Sequence, residues 1–436
     1  MVRQAHHPER SRRTERSRRS GKKLKMIGGR KKVLVALSGG VDSSTATALL
    51  LQAGFDCAAV FMITSERGCQ GQAGAEDVAR RLGIKLHVLD LRGDFEHILE
   101  YFCNEYRKGR TPNPCVVCNR FIKFGKLWDF AQRNGAQFFA TGHYAMVRPV
   151  ESLWAERQAH HQIRQGLRLS SAECPHYNPE RSRGRVINRN DIRHGLTQIY
   201  TESEVNNPKS VIGGGLYAGV DSAKDQSYAL AMIDRNVLAH TILPMGDYTK
   251  QQTRKMAAEF GLGTEHKAES QEICFIPDDD YVAVLERRFP ELVREGDIVD
   301  SSGRILGKHN GIHKFTIGQR RGLRVAMGKP YYVVKIDAQT NTVTLGPKEE
   351  VMHRKLLASG VSWLIDEPAS AFAAKVKIRY NDRGSQATVI PQGDKVIVEF
   401  DKLTAAITPG QLAVFYVQEE EYSRVIGGGW IDKAAD

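Results

Sequence analysis

Residues 33–44 read VLVALSGGVDSS, and this stretch decides which fold we expect. The apolar run at residues 33–37 is typical of a buried parallel strand. Gly39 and Gly40 then allow the backbone to turn sharply and to approach a ligand closely. A helical pattern follows at residues 43–53. Because the first N–H groups of a helix attract anions, the stretch predicts a strand, a phosphate-binding loop and a helix in succession.

The segments that follow continue this alternation of strands and helices. Strands are expected at 57–62, 86–90 and 136–141. Helices are expected at 73–82, 94–108, 121–134, 224–232, 251–260 and 278–288. Strands that alternate with helices predict an α/β fold built on a doubly wound parallel sheet.

After about residue 290 the pattern becomes that of a β protein. GDIVDSSGRILG, residues 296–307, predicts two strands around a tight turn. Short alternating runs at 375–380, 387–390, 395–400, 412–417 and 424–431 predict a small β-barrel. We therefore divide the chain into a basic tail, an α/β domain, a central β-rich domain and a C-terminal β-barrel, at residues 1–30, 31–289, 290–355 and 356–436.

Two segments do not fit this division and are related to each other. Residues 1–30 are polar and basic, without periodicity, and we expect disorder there. RQAHH occurs at 3–7 and again at 157–161, and PERSR occurs at 8–12 and again at 179–183. The second copies lie in residues 150–210, where the α/β pattern is interrupted. We interpret 150–210 as an inserted surface loop; the alternative is an RNA-binding arm.

The charge and hydropathy of the chain narrow the classes of protein. The net charge is +13, of which residues 1–32 carry +11 and residues 151–209 carry +2, so the remaining residues are neutral overall. Any RNA-binding surface in the folded part must therefore be a local patch. No apolar run approaches the roughly 20 residues that span a bilayer, and no secretory signal is evident. We expect a cytoplasmic protein with reduced thiols and no membrane partner.

The glycine loop carries further expectations. Asp42 is a candidate for holding the loop or for binding magnesium, and Ser43 or Ser44 is a candidate helix cap. The GxxxxGK[ST] pattern is absent, so the loop does not indicate a γ-phosphate transferase. SGGVDSS between a strand and a helix favours pyrophosphate binding over an ordinary glycine turn.

Seven cysteines, an odd number, do not indicate a disulfide framework. TPNPCVVCN, residues 111–119, places Cys118 near the expected start of a helix, where the helix dipole lowers a thiol pKa. SQEICFIP, residues 270–277, contains Cys274. The other cysteines are expected in packing or surface roles: Cys57 and Cys103 in the core, Cys69 in a turn and Cys174 in the insertion.

Together these segments resemble the bacterial and organellar tRNA 2-thiouridylases, a family of ATP pyrophosphatases with a HUP-like catalytic domain. The resemblance runs from about residue 31 to residue 430, apart from the insertion. It is carried by SGGVDSS, GRTPNPCVVCNRFIKF, ATGHY, KDQSY, SQEICFI, TIGQRRGL, KIRY and TPGQLAVFY. It implies that residues 31–289 are catalytic and that residues 290–355 bind tRNA. It also implies that ATP adenylates the 2-oxygen of a wobble uridine and that sulfur then replaces this oxygen.

The resemblance also implies roles for individual residues. Cys118 matches the catalytic nucleophile and Cys274 the persulfide carrier. The nucleotide site matches Ala36, Leu37, Ser38, Gly39, Gly40, Val41, Asp42, Ser43, Met62 and Gly142. Contacts to the tRNA anticodon stem-loop match Asn113, Pro114, Cys115, Lys224, Asp225, Gln226, Arg379 and Tyr380.

Cys115 departs from the family pattern, because the best-known members have Asp at this position. Cys115, Cys118 and Cys274 are three candidate ligands for a [4Fe-4S] cluster with one iron left open. A metal-free persulfide route and a zinc site, for which no fourth ligand is evident, remain alternatives. Inorganic sulfide could supply a cluster, whereas a persulfide needs a cysteine desulfurase or a relay protein.

The central region contains a candidate RNA surface in two basic segments, residues 308–314 and 319–324. His309 and His313 do not indicate a metal site, and His143 is expected to orient a loop or to contact nucleotide. Two other functions stay open. An amidating ATP pyrophosphatase would share SGGVDSS but not the cysteine pair, and a non-catalytic RNA-binding iron–sulfur protein would not need an intact phosphate loop.

Overall fold

The apolar run before the glycine loop forms the central strand of a five-stranded parallel sheet. The computed structural model describes residues 30–65, 69–149, 214–267, 276, 280–325 and 328–436. The strands of this sheet are β1 Lys32–Ala36, β2 Asp56–Ile63, β3 Leu86–Asp90, β4 Phe138–Ala140 and β7 Thr241–Ile242, in the order β3-β2-β1-β4-β7. The predicted doubly wound α/β sheet is confirmed.

Helices connect these strands. Those in the first half of the chain are α1 Val41–Gln52, α2 Cys69–Leu82, α3 Arg92–Arg107, α4 Pro114–Cys118 and α5 Leu127–Arg133. Those in the second half are α6 Ser227–Leu230, α7 Arg235–Leu238, α8 Lys250–Glu259 and α9 Tyr281–Arg288. The strands all run parallel, but the order in which they are added reverses between β1 and β4. In such sheets ligands bind outside the carboxyl ends of the strands at this switch point.

Two predicted helices differ from the observed ones. The helix expected at 121–134 begins seven residues earlier, at Pro114, and continues through a π-helical stretch, Asn119–Lys126, into α5. The helix expected at 224–232 is reduced to the four residues of α6. There the Asp225 carboxylate accepts the backbone N–H groups of Gly219 and Ser227, and such local bonds compete with helix formation.

The central region is a separate four-stranded sheet. Its strands are β8 Gly296–Asp300, β9 Ile305–His309, β10 Tyr332–Asp337 and β11 Thr342–Gly346, in the order β10-β11-β8-β9. Strands β8 and β9 pair around the turn expected at residues 296–307. Buried apolar residues beneath the sheet, among them Phe315, Val333 and Leu345, form its own core.

The C-terminal region is the predicted barrel, closed by six antiparallel strands. They are β12 Met352–Trp363, β13 Phe372–Lys377, β14 Ser385–Gln392, β15 Lys395–Ala405, β16 Leu412–Glu419 and β17 Tyr422–Ala435. Pairing of β12 with both β15 and β17 closes the barrel. The strand expected at 375–380 ends at Lys377, because the Asp382 carboxylate accepts the N–H groups of Ile378 and Gly384 and fixes a turn.

Two strands from the α/β region extend the barrel sheet. These are β5 Ala145–Pro149 and β6 Gly214–Ala218, which pair with each other, while β6 also pairs with β17. Pro149 and Gly214 are register partners at the end of this hairpin, so the segment between them leaves and re-enters the fold at one place. That segment, which contains the predicted insertion, lies outside the described residues. The domain boundaries stay predictions, since residues 31–436 cluster as one unit.

We expect that residues 150–213 can be replaced by an Asn-Gly turn, because a two-residue turn closes a hairpin whose end positions are direct partners. The thermal midpoint should change by less than about 4 °C, which corresponds to roughly 1 kcal/mol. The control joins Arg148 to Gly214 through the same turn, which shifts the register by one residue and should destabilise the chain more. Equal midpoints for the two variants would contradict the predicted register.

Candidate nucleotide and thiol site

The glycine loop is shaped by close backbone approaches. Gly39 has φ +74°, and a Cβ there would lie 2.7 Å from the backbone nitrogen of Ala75 in α2. Gly142, just after β4, is equally confined, since a Cβ would lie 2.6 Å from the backbone nitrogen of Ser43. The loop after β4 and helix α2 therefore both touch the loop between β1 and α1. Only glycine fits at either position.

Serine side chains stabilise the loop from inside. Ser38 and Ser43 place their hydroxyl oxygens 3.1 Å apart, and Ser43 Oγ accepts the Ser38 N–H. Gly40, not Ser43 or Ser44, is the N-cap of α1, and it provides no side-chain cap. Both serines lie inside the first turn and donate to the Gly40 carbonyl, so the predicted serine cap is wrong. The helix start therefore has no side-chain cap of its own, which suits anion binding by its N–H groups.

Asp42 is held by protein groups. Lys250 Nζ, from α8, lies 2.7 and 2.9 Å from the two carboxylate oxygens, and the Tyr144 hydroxyl donates to Oδ1 at 2.7 Å. Tyr144 also lies 2.9 Å from the hydroxyl oxygen of Thr253. Of the two roles expected for Asp42, holding the loop is the one these contacts support. Both carboxylate oxygens already carry charge-assisted bonds.

A second lysine fixes the other side of the loop. Lys267 Nζ donates to the Gly39 carbonyl at 2.8 Å. Gly74 in α2 leaves the space for this ammonium, because a Cβ there would lie 2.7 Å from Nζ. Of the other matched nucleotide residues, Ala36 ends β1, Leu37 is buried and Met62 is half-buried near the end of β2. The predicted nucleotide residues thus lie along the carboxyl edge of adjoining strands.

His143 connects this edge to the cysteine-bearing helix. Its Nδ1 lies 2.7 Å from the Thr141 hydroxyl, and its Nε2 lies 3.4 Å from Lys123 Nζ in the π-helical stretch. Burial, together with the Lys123 charge, holds the pKa of His143 well below its ordinary value. The imidazole is therefore neutral and accepts from Lys123. This matches the expectation that His143 orients a loop.

The two described site cysteines lie one turn apart on α4 but differ in exposure. Asn113 is the N-cap and accepts the Val116 N–H at 3.4 Å, and Pro114 is the first helical residue. Cys115 is exposed, whereas Cys118 is buried. Cys118 ends α4 and continues directly into the π-helical stretch. The expectation that the helix dipole acts on Cys118 is wrong, because this effect is confined to the first turn, where Cys115 lies.

A turn of the barrel approaches Cys115. Arg379 and Tyr380 lie in the exposed turn between β13 and β14, and the rings of Tyr380 and Tyr228 meet edge to face at 6.2 Å. Partial burial raises the pKa of Tyr380, with smaller contributions from the nearby Asp225 and Cys115. The structure thus places Tyr380 near Cys115, with Arg379 next to it in the same turn.

The KDQ segment performs a structural role that the sequence did not indicate. The Asp225 carboxylate accepts from Ser227 and from Lys377 of the barrel at 3.2 Å, and its side chain is 5% exposed. Gln226 exchanges two hydrogen bonds with the Tyr144 backbone. Asp225 and Gln226 therefore connect the barrel and the ATGHY loop, and Lys224 is half-buried beside them.

The remaining cysteines fall into two groups. Cys57 and Cys103 are buried as expected, and burial raises the pKa of Cys57 to about 12. Cys274 and Cys174 lie outside the described residues, as does the side chain of Cys69. Across the described ranges there is no group of three or more His, Cys, Asp or Glu side chains that could hold a metal. A site that includes Cys274 is not tested by this finding.

The first of the two predicted basic segments, residues 308–314, does not form the expected RNA surface. His309 and His313 are buried, Lys308 pairs with Asp297, and Lys314 pairs with Glu286. These residues are side chains of the central core and its ion pairs, so little of segment 308–314 is available to RNA. Within the part of the chain that the structure describes, no helix is both long and apolar enough to cross a membrane.

The other half of that surface is exposed. Arg320, Arg324 and Lys329 line a groove of about 560 Å³ on the central region. Arg324 has φ +55°, an uncommon conformation for a residue with a side chain. Among the described residues these three cations form no ion pair, so the groove presents net positive charge.

Sequence reasoning missed several residues that build the site. Three of them contact groups that are distant in sequence: Lys250, Lys267 and Gln411. No local sequence pattern identifies these partners. Tyr144, Tyr228 and Gln411 occur in the quoted motifs, but no role was assigned to them. A capping box, Thr249 to Gln252, does mark the start of α8 and hence the place of Lys250.

This combination of sheet, loop and appended β regions defines the HUP-type tRNA-modifying proteins. Three family models match in succession: "tRNA methyl transferase HUP domain" at 31–169 and 195–278, "tRNA methyl transferase PRC-barrel domain" at 283–347, and "Aminomethyltransferase beta-barrel domain" at 353–431. Within this class, the chain belongs to the tRNA-specific 2-thiouridylase family.

Named relatives match over nearly their full length. The "tRNA-specific 2-thiouridylase MnmA" of Carboxydothermus hydrogenoformans is 40% identical over 421 residues, covering 93% of this chain and 98% of the relative. The protein of the same name from Halothermothrix orenii is 38% identical, with 92% and 98% covered. A solved glutamine-dependent NAD+ synthetase from Acinetobacter baumannii is 22% identical over 26% of this chain and 22% of that one. Its TM-score is 0.20, a similarity too low to bear on the fold.

We expect Lys250→Met to weaken the glycine loop, because it leaves the Asp42 carboxylate without its cation. The free energy of unfolding should fall by about 1–3 kcal/mol. Urea unfolding measures this change. Lys255→Met, an exposed position on the same helix, is the matched control and should change it by less than about 0.5 kcal/mol. A loss no greater than the control's would show that the ion pair does not stabilise the loop.

Proposed function

We propose that this chain is an ATP-dependent tRNA 2-thiouridylase that converts a wobble uridine to 2-thiouridine. The observation that carries the proposal is a continuous set of contacts across the site. The glycine loop touches Gly142, His143 touches Lys123, and the helix that contains Lys123 begins with Cys115 and Cys118. An anion-binding loop and two thiols are thus built into one edge of the sheet. Activation by ATP followed by sulfur transfer requires these two kinds of group.

The first step uses the glycine loop. The uridine 2-oxygen attacks the α-phosphorus of ATP, pyrophosphate leaves, and the base becomes adenylated. The N–H groups at the start of α1 and the loop of residues 38–43 would hold the phosphates. Lys267 and Lys250 act indirectly here, since each is already bonded to the loop. Adenylation turns a carbonyl oxygen into a leaving group, which sulfur transfer needs.

The second step uses the thiols. Cys274 carries a persulfide whose outer sulfur attacks C2, and AMP departs with the original oxygen. Cys118 then attacks the inner sulfur of Cys274, which forms a Cys118–Cys274 disulfide and releases the thiocarbonyl. An external thiol must reduce this disulfide before the next turnover. Cys118 is only 7% exposed, whereas Cys115 is exposed. We therefore expect substrate to bind beside Cys115 before Cys118 attacks.

Recognition of tRNA rests on the barrel turn and the central groove. Arg379 and Tyr380 are exposed next to Cys115, where a phosphate contact and base stacking are chemically suitable. The groove around Arg320 and Arg324 would contact backbone phosphates elsewhere on the tRNA. Asn113 and Pro114 would act through the position of α4. Asp225 and Gln226 would act by holding the barrel and the ATGHY loop, and Lys224 remains a proposed direct contact.

The metal proposals differ in how well they fit the chain. Asp42 does not fit as a magnesium ligand, since Lys250 and Tyr144 occupy its oxygens. Magnesium is therefore proposed only as a companion of ATP. Cys115 and Cys118 do have the spacing of iron–sulfur ligands, and Cys274 would be the third. A [4Fe-4S] cluster would supply an open iron for sulfide. The sulfur donor and the cytoplasmic location remain proposals.

The function is tested with purified chain, unmodified tRNA, ATP and a sulfur source. We expect tRNA-dependent release of AMP together with 2-thiouridine, measured by chromatography and mass spectrometry of digested tRNA. Cys118→Ser should lose 2-thiouridine by orders of magnitude and retain tRNA-dependent pyrophosphate release in the first turnover, because adenylation precedes the step that needs Cys118. Cys174→Ser is the cysteine control and should match the wild type. An equal rate of AMP release with and without tRNA would contradict the proposed function.

The cluster is tested separately. Anaerobically purified chain is expected to contain about four irons with matching acid-labile sulfide, and Cys115→Ser to lose them. Cys103→Ala, a buried cysteine outside the site, is the control that should keep its iron. Wild-type protein without iron after anaerobic reconstitution would exclude the cluster and leave the persulfide route.

A further inference from the structure

We propose that Gln411, in the loop between β15 and β16 of the barrel, is a positioning residue that sets the cysteine helix in place for sulfur transfer. Its side-chain Nε2 donates to the carbonyl oxygens of Thr111 at 3.0 Å and Pro112 at 3.2 Å. These two carbonyls immediately precede Asn113, the N-cap of the helix that contains Cys115 and Cys118. One amide group of the barrel therefore fixes the entry of that helix.

The neighbours of Gln411 make the same contact stronger. The Thr111 N–H donates to the Pro409 carbonyl at 2.9 Å. Gly410 has φ +91°, and a Cβ there would lie 2.8 Å from the Thr111 oxygen, so the two chains approach as closely as backbones can. Three consecutive barrel residues thus meet two consecutive residues of the cysteine segment. Since proline has no N–H, Pro112 offers only its carbonyl, and Gln411 satisfies it.

Gln411 is itself rigidly placed. Its carbonyl accepts the Ile431 N–H at 2.9 Å, which joins the loop to β17. The next residue, Leu412, is also fixed, because its carbonyl accepts the Tyr228 hydroxyl at 2.9 Å and its N–H lies 3.2 Å from the same oxygen. Tyr228 is fully buried, and the side chain of Asn113 lies near its hydroxyl. The helix cap is therefore connected to the barrel through a second route.

These contacts have a consequence for the reaction. The barrel carries the Arg379–Tyr380 turn, which lies beside Cys115, and Gln411 holds the segment that leads into Cys115. The RNA-binding turn and the thiols therefore share one rigid support. A loss of the Gln411 bonds leaves the nucleotide loop intact and displaces the thiols relative to the adenylated base. Small displacements of a reacting group cost large factors in rate, up to about 100-fold for 1 Å.

The inference rests on the proposed function and is tested by separating its two steps. Gln411→Met keeps the side-chain length and removes both donors. We expect 2-thiouridine formed per turnover to fall by about 10–100-fold. The KM for ATP and tRNA-dependent AMP release should stay within about two-fold of wild type, because an adenylated base that is not thiolated hydrolyses and still yields AMP. Gln411→Asn, which keeps the amide, should recover part of the loss.

A second readout does not depend on turnover. The rate of alkylation of Cys115 and Cys118 by iodoacetamide, followed by peptide mass spectrometry, should change in Gln411→Met and not in the control. Gln418→Met is that control, because Gln418 is an exposed glutamine on the same barrel that bonds Glu420. Thermal midpoints establish whether each variant is folded. If Gln411→Met does not fold, Gln411→Asn replaces it in the comparison with Gln418→Met.

The outcomes separate the two proposals. Unchanged yield of 2-thiouridine per AMP and unchanged alkylation in a folded Gln411 variant would overturn the positioning role. An equal fall in AMP release and thiolation would also overturn it, since that pattern indicates a general structural defect. Wild-type chain that forms neither AMP nor 2-thiouridine would instead refute the proposed function. In that case the alkylation rates would still report whether Gln411 places the thiols.

Discussion

The site depends on places where two backbones meet without a side chain between them. Gly39 lies against Ala75 and Gly142 lies against Ser43, at distances that exclude a Cβ. These two contacts bring α2 and the loop after β4 onto the start of α1. The N–H groups at the head of α1 are then enclosed on two sides by main chain. A preorganised anion site of this kind needs no rearrangement when phosphate binds.

From this centre, fixed charges and hydrogen bonds extend outward in two directions. Lys250 neutralises Asp42, and Lys267 donates to the Gly39 carbonyl of the same loop. His143 and Lys123 connect the other side to the cysteine helix, and the neutral imidazole permits this contact with an ammonium. The same lysine would repel a charged histidine. The low pKa of His143 is therefore part of how the two halves of the site stay together.

Much of the fold was predictable from sequence, because strand and helix periods and glycine loops are local signals. The sheet and the barrel belong to this group. What failed depended on partners distant in sequence. Asp225 matches an RNA contact in the sequence but is buried against Lys377. His313 lies in a predicted basic surface segment but is buried beside Glu286. The start of α4, by contrast, has a local signal: Asn113 is its cap and Pro114 its first residue, a pair typical of a helix start.

The barrel also supports the segment that leads into the cysteine helix. An α/β sheet can position groups at the ends of its own strands, and the glycine loop and His143 are such groups. The cysteines lie on α4, which packs on the core of this sheet but follows a proline-containing segment that hydrogen-bonds to the barrel loop. Its support comes from residues 409–412, about 300 positions later in the chain. In this arrangement the parallel sheet positions the glycine loop, and the barrel positions the start of the cysteine helix.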